Sequence, residues 1–209
     1  MSLFVTFEGI EGSGKSSHAR TLAETLRSAG RVVVETREPG GTPAGAAIRA
    51  LLLGAEVTPL TGPTELFLVC ADRAQHVSQV IRPALADGRV VVCDRFSDST
   101  LAYQGHGRGL DLALVRALDA EARGGLAPAL TFLLDCPVDV GLGRAKARAG
   151  ATDRFEREAV TFHQRIRDGF LALAAEAPDR IVVIDSTADP AVASERILAA
   201  TRARLEAAP

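Results

Sequence analysis

Near its start the chain carries a glycine-rich motif whose residue types and spacing suit the binding of a nucleotide phosphate. An apolar run ends at Gly9, the spacing G-x-x-x-x-G-K-S continues to Ser16, and a helical pattern follows. Glycines let backbone N–H groups converge on phosphate oxygens, and the helix start adds positive potential. Lys15 would contact the β- and γ-phosphates, and the Ser16 hydroxyl would bind Mg²⁺. The residues expected to bind ATP are Gly9, Glu11, Gly12, Ser13, Gly14, Lys15, Ser16 and Ser17.

Two aspartates could complete a magnesium site beside this loop, because each ends an apolar run typical of a buried strand. Asp94 is followed by RFSDSTLAYQG, a segment rich in polar side chains, whereas Asp135 is followed by CPVD, which is typical of a helix start. Either residue could also be an ordinary strand end. We predict that Ser16 and Asp94 bind Mg²⁺ together with the nucleotide phosphates.

Two arginines are candidates for binding a second phosphate. Arg37 and Arg95 directly follow strand patterns, so both should lie at the carboxyl edge of a sheet, where ligands bind in open α/β folds. Either guanidinium could bind a phosphate through two parallel hydrogen bonds. A surface ion pair is an alternative for Arg37 taken alone.

The elements that must position these residues alternate along the chain. Short apolar runs alternating with helical patterns predict a parallel sheet built from right-handed crossovers. We therefore predict one α/β domain over residues 1–209. It would have a P-loop NTPase-type three-layer fold, a parallel sheet of about five strands flanked by helices, and a small lid insert at about 143–154. The predicted strands are 2–9, 31–38, 89–94, 129–135 and 179–185, and the predicted helices are 15–29, 44–53, 63–86, 138–147, 154–177 and 190–205.

Composition excludes some classes of partner. The 209 residues carry a net charge of −2 and only 4% aromatic residues, which argues against a nucleic-acid interface. No apolar run is long enough to span a bilayer, and no signal peptide precedes the first strand. The three cysteines are odd in number and widely spaced, which indicates reduced thiols of a cytoplasmic protein.

Over nearly its whole length the chain resembles thymidylate kinases of the bacterial type. The resemblance rests on five segments in the same order: FEGIEGSGKSS, TREPGGT, ADRAQHV, DRFSDSTLAYQG and RAKARAGATDRFE. It implies Mg²⁺-dependent transfer of the γ-phosphoryl group of ATP to dTMP, giving ADP and dTDP. It also implies a homodimer, for which the long helix beginning at Pro63 is a candidate interface.

The resemblance also implies which residues bind dTMP. Arg73 and Gln104 would contact the thymine edge, and Gln104 offers both a donor and an acceptor. The ring of Tyr103 would lie beside the deoxyribose and disfavour a 2′-hydroxyl; a core aromatic is the alternative. Glu38 would belong to the metal or phosphate network. The complete set is Arg37, Glu38, Val69, Arg73, Arg95, Ser99, Tyr103 and Gln104.

At one position the chain departs from the family. Family members place an aromatic ring against thymine four residues before the ADR arginine, where this chain has Val69. Phe67 is close in sequence, but two residues correspond to about 200° around a helix, so it should face elsewhere. Helical spacing predicts two stripes: one of Leu66, Val69, Arg73 and His76, and a core stripe of Phe67, Cys70, Ala74 and Val77.

Glu11 is an unexpected carboxylate inside a loop that must bind a polyanion. Bacterial-type thymidylate kinases have an acidic or neutral residue there and supply an arginine from the lid instead. Here the lid segment contains Arg144, Lys146, Arg148 and Arg154. We expect Arg148 to be the main catalytic cation and Arg144 the second, with Glu11 able to hold a lid arginine. The alternative is that Glu11 and the lid charges only face solvent. The predicted catalytic residues are Lys15, Arg95, Arg144 and Arg148.

Two other functions stay open at this point. Another nucleotide or deoxynucleoside kinase would share the loop and differ in its acceptor. A regulatory NTP-binding switch would hydrolyse nucleotide slowly without an acceptor, but no N-K-x-D guanine-binding motif is found.

Overall fold

In a computed structural model, residues 2–54, 59–147 and 154–207 are described. They contain one sheet of five parallel strands in the order β2-β3-β1-β4-β5, which confirms the predicted fold class. The strands are β1 (Leu3–Glu8), β2 (Val33–Arg37), β3 (Val90–Asp94), β4 (Leu130–Asp135) and β5 (Ile181–Asp185).

Helices cover the sheet on both faces. Two π-helical turns, Val77–Ile81 and Leu101–Gly107, continue α3 into α4 and extend α5. Among the described helices, none combines the length and apolarity that a bilayer crossing requires. The helices are α1 (Lys15–Ser28), α2 (Pro43–Leu53), α3 (Gly62–His76), α4 (Arg82–Ala86), α5 (Ser97–Thr100), α6 (Leu112–Ala122), α7 (Val138–Ala147), α8 (Val160–Glu176) and α9 (Pro190–Ala207).

Local sequence explains where several helices begin. The side chain of Thr42 accepts a hydrogen bond from the Gly45 amide at the start of α2, and Thr61 and Asp111 cap α3 and α6 in the same way. Proline follows the cap in α2 and in α3, where its missing N–H costs no helical hydrogen bond.

The strand register brings the candidate site together. Phe7 of β1 lies beside Asp94 of β3, which in turn lies beside Arg37 of β2. Since all strands are parallel, the segments that follow Glu8, Arg37 and Asp94 leave the sheet at the same edge. The phosphate-binding loop and both candidate phosphate-binding arginines are therefore neighbours.

Two apolar layers pack against the sheet and support the end at which the candidate site lies. On one face of the sheet, α1 and α9 pack on Phe7, Val92 and Leu134. On the other side, the π-helical turn after α5 packs against α8, with Tyr103 and Phe170 in edge-to-face contact. The segment that carries Tyr103 is thus held in place by its packing against α8.

Several helix predictions need correction. Helices α5 and α6 were not predicted, and α8 begins at Val160 instead of residue 154. Residues 154–157 form turns, because Arg154 donates to the Leu52 carbonyl and pairs with Glu65 instead of continuing the helix.

The predicted core stripe of α3 is wrong at Phe67 and at Ala74, which are both exposed. The side chain of Phe67 is 61% exposed, whereas Leu66, Arg73 and His76 are buried. The reason is that α3 turns a partly charged face inward, where carboxylates of neighbouring segments pair with Arg73 and His76. Burial of apolar side chains alone does not decide the orientation of this helix.

Candidate active site

The phosphate-binding loop has the backbone shape expected from its glycines. Gly9 and Gly14 have φ angles of +138° and +91°, which residues other than glycine rarely adopt. The Lys15 ammonium group donates to the Ile10 carbonyl at 2.6 Å and to Ser13 Oγ at 3.3 Å, so it lies folded over the loop. Burial, followed by the nearby Arg95, lowers the pKa of Lys15 to about 8.

Ser16 and Asp94 meet at the start of α1. The Ser16 hydroxyl donates to Asp94 Oδ2, and Asp94 Oδ1 is buried without a hydrogen-bond partner in the described part of the chain. A carboxylate oxygen with no partner beside a hydroxyl suits Mg²⁺, which binds one or two protein oxygens and completes its shell with water and phosphate. The other candidate, Asp135, forms a bidentate pair with Arg167 at 2.7 and 2.8 Å.

Arg95 is held tightly beside the loop. Its Nη1 donates to the Gly9 carbonyl at 2.9 Å and to Ser99 Oγ at 3.1 Å. Its Nη2 donates to the Tyr103 hydroxyl at 3.0 Å and lies 3.3 Å from Glu11 Oε1. The backbone of Arg95 has a φ of +70°, an unfavourable conformation for a long side chain. Such strain persists where surrounding contacts determine the geometry, often at functional sites.

Glu8 supports this arrangement and was missed by sequence reasoning. Its Oε1 accepts from the Phe96 amide at 2.8 Å, and its Oε2 accepts from Ser99 Oγ at 2.5 Å. Burial, with the nearby Asp98, raises the pKa of Glu8 from the usual 4.5 to about 8. The available signal was an acidic residue ending an apolar strand, the same signal that identified Asp94.

Arg73 lies in the wall of the cavity, within a buried network of charges. Its Nε donates to Glu38 at 2.9 Å, and its Nη1 donates to Asp119 at 2.6 Å and to Thr100 at 2.8 Å. The guanidinium also lies 5.0 Å from the centre of the Phe96 ring. Asp119 comes from α6, the unpredicted helix, so sequence reasoning had no basis for this partner.

Glu38 connects this network to His76. Its second oxygen lies 2.8 Å from His76 Nδ1, and His76 Nε2 lies 2.7 Å from the Thr36 hydroxyl. Asp72 accepts from the Gly40 amide at 3.0 Å, and burial with the nearby Glu38 raises its pKa to about 6. These contacts fix the loop between β2 and α2 against α3.

The remaining predicted residues line the same cavity. Gln104 is buried and its amide lies 3.3 Å from Glu65, while the side chain of Val69 is half-buried. Arg37 is exposed at the rim. The cavity is lined by Glu11, Gly12, Lys15, Ser16, Arg37, Glu38, Val69, Arg73, Asp94, Arg95, Ser99, Tyr103, Gln104 and several neighbours.

Comparison with known proteins agrees with this geometry. A family model described as thymidylate kinase matches residues 7–197. The thymidylate kinase of Citrifermentans bemidjiense is 51% identical over 211 residues, covering 99% of this chain and 94% of its own length. That of Geobacter sulfurreducens is 55% identical over 190 residues, covering 88% and 89%.

The chain belongs to the thymidylate kinase family. The crystal structure of a thymidylate kinase from Ehrlichia chaffeensis superposes with a TM-score of 0.78 at 33% identity, covering 96% of this chain and 98% of that one. The predicted family and the predicted enzyme class, an ATP-dependent dTMP kinase, are both confirmed.

Within this thymidylate kinase fold, Glu11 is not a solvent-facing charge. Its carboxylate is buried, accepts from the Tyr103 hydroxyl, and lies 3.3 Å from both Arg95 Nη2 and His163 Nδ1. Burial alone would raise the pKa of Glu11, but His163, then Arg95 and Lys15, lower it to about 2. The alternative in which Glu11 points into solvent is therefore wrong.

The segment predicted to form the lid is described only in part. Arg148 and Gly150 lie outside the described residues, as does half of the predicted lid segment. Arg144 lies in α7 and donates to the Ser186 carbonyl at 2.9 Å, just after β5. Arg154, at the C-terminal end of the predicted lid segment, donates to the Leu52 carbonyl and pairs with Glu65. In this structure the guanidinium beside Glu11 belongs to Arg95.

Proposed function

We propose that the cavity beside the phosphate-binding loop binds dTMP, with its phosphate facing the γ-phosphate of ATP. The observation that carries this proposal is the meeting of Lys15, Ser16 and Arg95 at one cavity. A loop suited to the donor phosphates and an arginine suited to an acceptor phosphate are thereby neighbours. Positioning two phosphates for in-line transfer is the main task of a phosphoryl-transfer enzyme.

Arg95 is the proposed principal partner of the dTMP phosphate, with Arg37 assisting from the rim. Contacts to Gly9, Ser99 and Tyr103 fix the guanidinium of Arg95, so little side-chain entropy is lost when a phosphate binds. Charge-assisted bonds from a guanidinium to phosphate are strong and directional. The exposed Arg37 would close over the phosphate from the opposite side.

Arg73 and Gln104 are the proposed partners of the thymine edge. The bonds of Arg73 to Glu38, Asp119 and Thr100 hold its guanidinium in one orientation. The Glu65 carboxylate can only accept, so it holds the amide nitrogen of Gln104 and fixes which way that amide faces. Tyr103 and Val69 would pack on the sugar and the base.

Mg²⁺ is the proposed cofactor, held by Ser16 and Asp94. When bound, it would offset negative charge on the ATP phosphates during transfer. Lys15 would remain charged next to those phosphates despite its lowered pKa, because nearby negative charge favours the protonated form. Arg95 keeps its positive charge at all working pH values.

Arg148 and Arg144 are the proposed lid cations that act as charge develops on the transferred group. Lid closure would also exclude water and so prevent wasteful hydrolysis. Glu11 would hold the guanidinium of Arg95 rather than contact the reacting phosphoryl group, which explains how a carboxylate is tolerated inside the loop.

Assembly and cell compartment are proposals as well. We expect a homodimer, as the family resemblance implies, and the exposed Phe67 on α3 is consistent with an interface there. Light scattering coupled to size-exclusion chromatography would measure the mass. A cytoplasmic location fits three cysteines that are all free thiols.

A panel of nucleoside monophosphates with ATP and Mg²⁺ tests the proposed acceptor. We expect kcat/KM for dTMP to exceed that for CMP and GMP by at least about 10²-fold, because buried polar groups reject unmatched bases. Arg73→Met and Gln104→Leu should each raise KM for dTMP and leave KM for ATP nearly unchanged. Equal rates across the panel would contradict the assignment, and a preference for dUMP or a nucleoside would favour a related kinase.

The regulatory alternative is tested by the same assay without an acceptor. A switch would hydrolyse ATP at a rate that dTMP does not increase. We expect ADP formation to depend on dTMP and to match dTDP formation mole for mole.

A further inference from the structure

His163 is a buried imidazole that lies directly behind the phosphate-binding loop. It belongs to α8, it is fully buried, and its Nδ1 lies 3.3 Å from Oε2 of Glu11. In the described part of the chain, neither ring nitrogen of His163 nor Oε2 of Glu11 has a partner that meets hydrogen-bond geometry, so the 3.3 Å approach joins two otherwise unsatisfied polar groups. A buried polar ring of this kind is costly unless it is bonded, so its approach to the carboxylate needs an explanation.

The surroundings of His163 are mostly apolar and aromatic. The ring of Phe162 lies 5.6 Å away in an edge-to-face arrangement, and Phe162 in turn packs against Tyr103 and Phe155. The polar feature that distinguishes His163 is the approach to Glu11.

The two oxygens of Glu11 have different neighbours. Oε1 accepts from the Tyr103 hydroxyl and lies 3.3 Å from Arg95 Nη2, on the cavity side. Oε2 is buried and approaches His163 Nδ1. Because a carboxylate is planar, holding one oxygen fixes the position of the other. A donor at Oε2 therefore fixes the point at which Glu11 contacts Arg95.

A carboxylate accepts but cannot donate, so a hydrogen bond between these two groups requires a hydrogen on Nδ1 of His163. The chain of contacts then leads from His163 through Glu11 to Arg95 and Tyr103, two residues of the proposed dTMP site. His163 itself does not line the cavity.

We infer that His163 is a positioning residue for the acceptor site: it holds Glu11 so that Glu11 can hold Arg95 and Tyr103 against dTMP. The inference rests on the proposed roles of Arg95 and Tyr103. It assigns a function in the kinase reaction to a residue of α8 that does not touch either substrate.

Steady-state kinetics of two substitutions test this role. His163→Leu keeps most of the volume but removes the donor, and it should raise KM for dTMP roughly tenfold and lower kcat, since small displacements of binding groups are costly. KM for ATP should stay within about twofold. His163→Asn places an amide donor near the position of Nδ1, so it should restore KM for dTMP to within about threefold of the unmodified enzyme.

A matched control separates positioning from packing. Ile166→Val lies on the same helix at a fully buried position and should lower the melting temperature without changing either KM. If His163→Leu behaves like Ile166→Val, or if His163→Asn is no better than His163→Leu, the positioning role is wrong.

A double-mutant cycle tests the path through Glu11. In a Glu11→Gln background, adding His163→Leu should change KM for dTMP by less than about twofold, because the contact is already altered. Independent, multiplicative effects would overturn the inference. The proposed acceptor site is tested separately through Arg73 and Gln104: if those variants leave KM for dTMP unchanged, the site itself is misassigned. If they act while His163→Leu has no effect, only this inference fails.

Discussion

Gly12 of the phosphate-binding loop and Gly141 of α7 touch backbone to backbone. A Cβ atom built on Gly12 would lie 1.9 Å from the carbonyl oxygen of Gly141, and one built on Gly141 would lie 2.6 Å from the carbonyl oxygen of Glu11. No side chain fits between the two segments. The phosphate-binding loop and α7 are therefore in direct backbone contact, on the helix that precedes the predicted lid segment.

Gly141→Ala should therefore disturb the loop. The added methyl group must push α7 away from Glu11, which displaces the loop that positions the donor phosphates. We expect kcat to fall by at least about tenfold, as small displacements of binding groups can cost up to 10²-fold. Thermal unfolding should also show a loss of stability.

Gly143→Ala is the matched control on the same helix. A Cβ atom there meets nothing within 4 Å, and alanine favours helix over glycine by about 1 kcal/mol. The variant should be as stable as the unmodified enzyme or more stable, with unchanged kcat. Similar behaviour of both variants would mean that α7 does not fix the loop.

Asp94→Asn tests the assignment of the metal site. Removing the carboxylate charge next to Ser16 should raise the free Mg²⁺ concentration needed for half-maximal rate by roughly tenfold or more, since Mg²⁺ prefers charged oxygens. The measurement is the kinase rate against free Mg²⁺ at saturating ATP and dTMP. Asp135→Asn serves as control: it breaks the pair with Arg167 and should cost only stability. A shift in Mg²⁺ dependence for Asp135→Asn alone would reverse the assignment.

Glu8→Gln should change how stability depends on pH. The pKa of Glu8 is raised from the usual 4.5 to about 8 by burial, so between these values the unfolded chain releases a proton that the folded chain keeps. Stability from Glu8 is thus present below pH 4.5 and is lost as pH rises towards 8. Glutamine removes this loss, so the free energy of unfolding of the variant should gain on the unmodified enzyme as pH rises.

Between pH 5 and pH 8, the free energy of unfolding of Glu8→Gln should rise relative to that of the unmodified enzyme by on the order of a few kcal/mol. Urea unfolding without Mg²⁺ measures this difference. Glu24→Gln, at an exposed position of α1, controls for the substitution itself. A constant difference between Glu8→Gln and the unmodified enzyme over this range would show that Glu8 is charged in the folded state.

Arg148→Ala should lower kcat by on the order of 10²–10⁴ while leaving the dissociation constant of ATP nearly unchanged. The reason is that a lid cation contacts the transferred group mainly as charge develops. Arg144→Ala should have the smaller effect, since Arg144 is bound to the Ser186 carbonyl in this structure. Near-normal kcat for both variants would show that these arginines only face solvent.

Val69→Phe should strengthen dTMP binding by roughly 0.5–1.5 kcal/mol, the usual contribution of an aromatic pair. Val69 lines the cavity, and Phe67 is 61% exposed and so cannot supply the ring instead. Calorimetric titration with dTMP measures the change. Weaker binding with an intact fold would mean that the pocket beside Val69 is already filled by the base.

The sheet and its active edge could be predicted because their signals are local. Each strand is an apolar run, and Gly9, Asp94 and Asp135 mark the strand ends in the sequence itself. Helix α6 gave no such signal. Its buried positions are Val115 and Asp119, and the charge at one of them breaks the apolar period on which helix prediction depends.

The contacts that hold the site could not be predicted, because they join distant parts of the chain. Arg73 pairs with Asp119, which is 46 residues away, and Glu11 approaches His163 on a helix near the other end of the chain. Spacing along one element cannot reveal such pairs. Motifs identified the residues that contact substrates, and only the folded chain showed which residues hold them.

Among the described residues, those proposed to bind the nucleotides follow the carboxyl ends of the parallel strands, and none of them lies at the amino ends. Strands of five residues separate the two ends by roughly 17 Å. Gly30 and Gly88 precede β2 and β3 there, in open surroundings, and Arg31 beside them is exposed. The native thiols are buried or half-buried, so a cysteine introduced at Arg31 would take up a fluorophore or a surface tether preferentially. The enzyme could thus be immobilised or followed optically during turnover with its nucleotide cavity facing away from the attachment point.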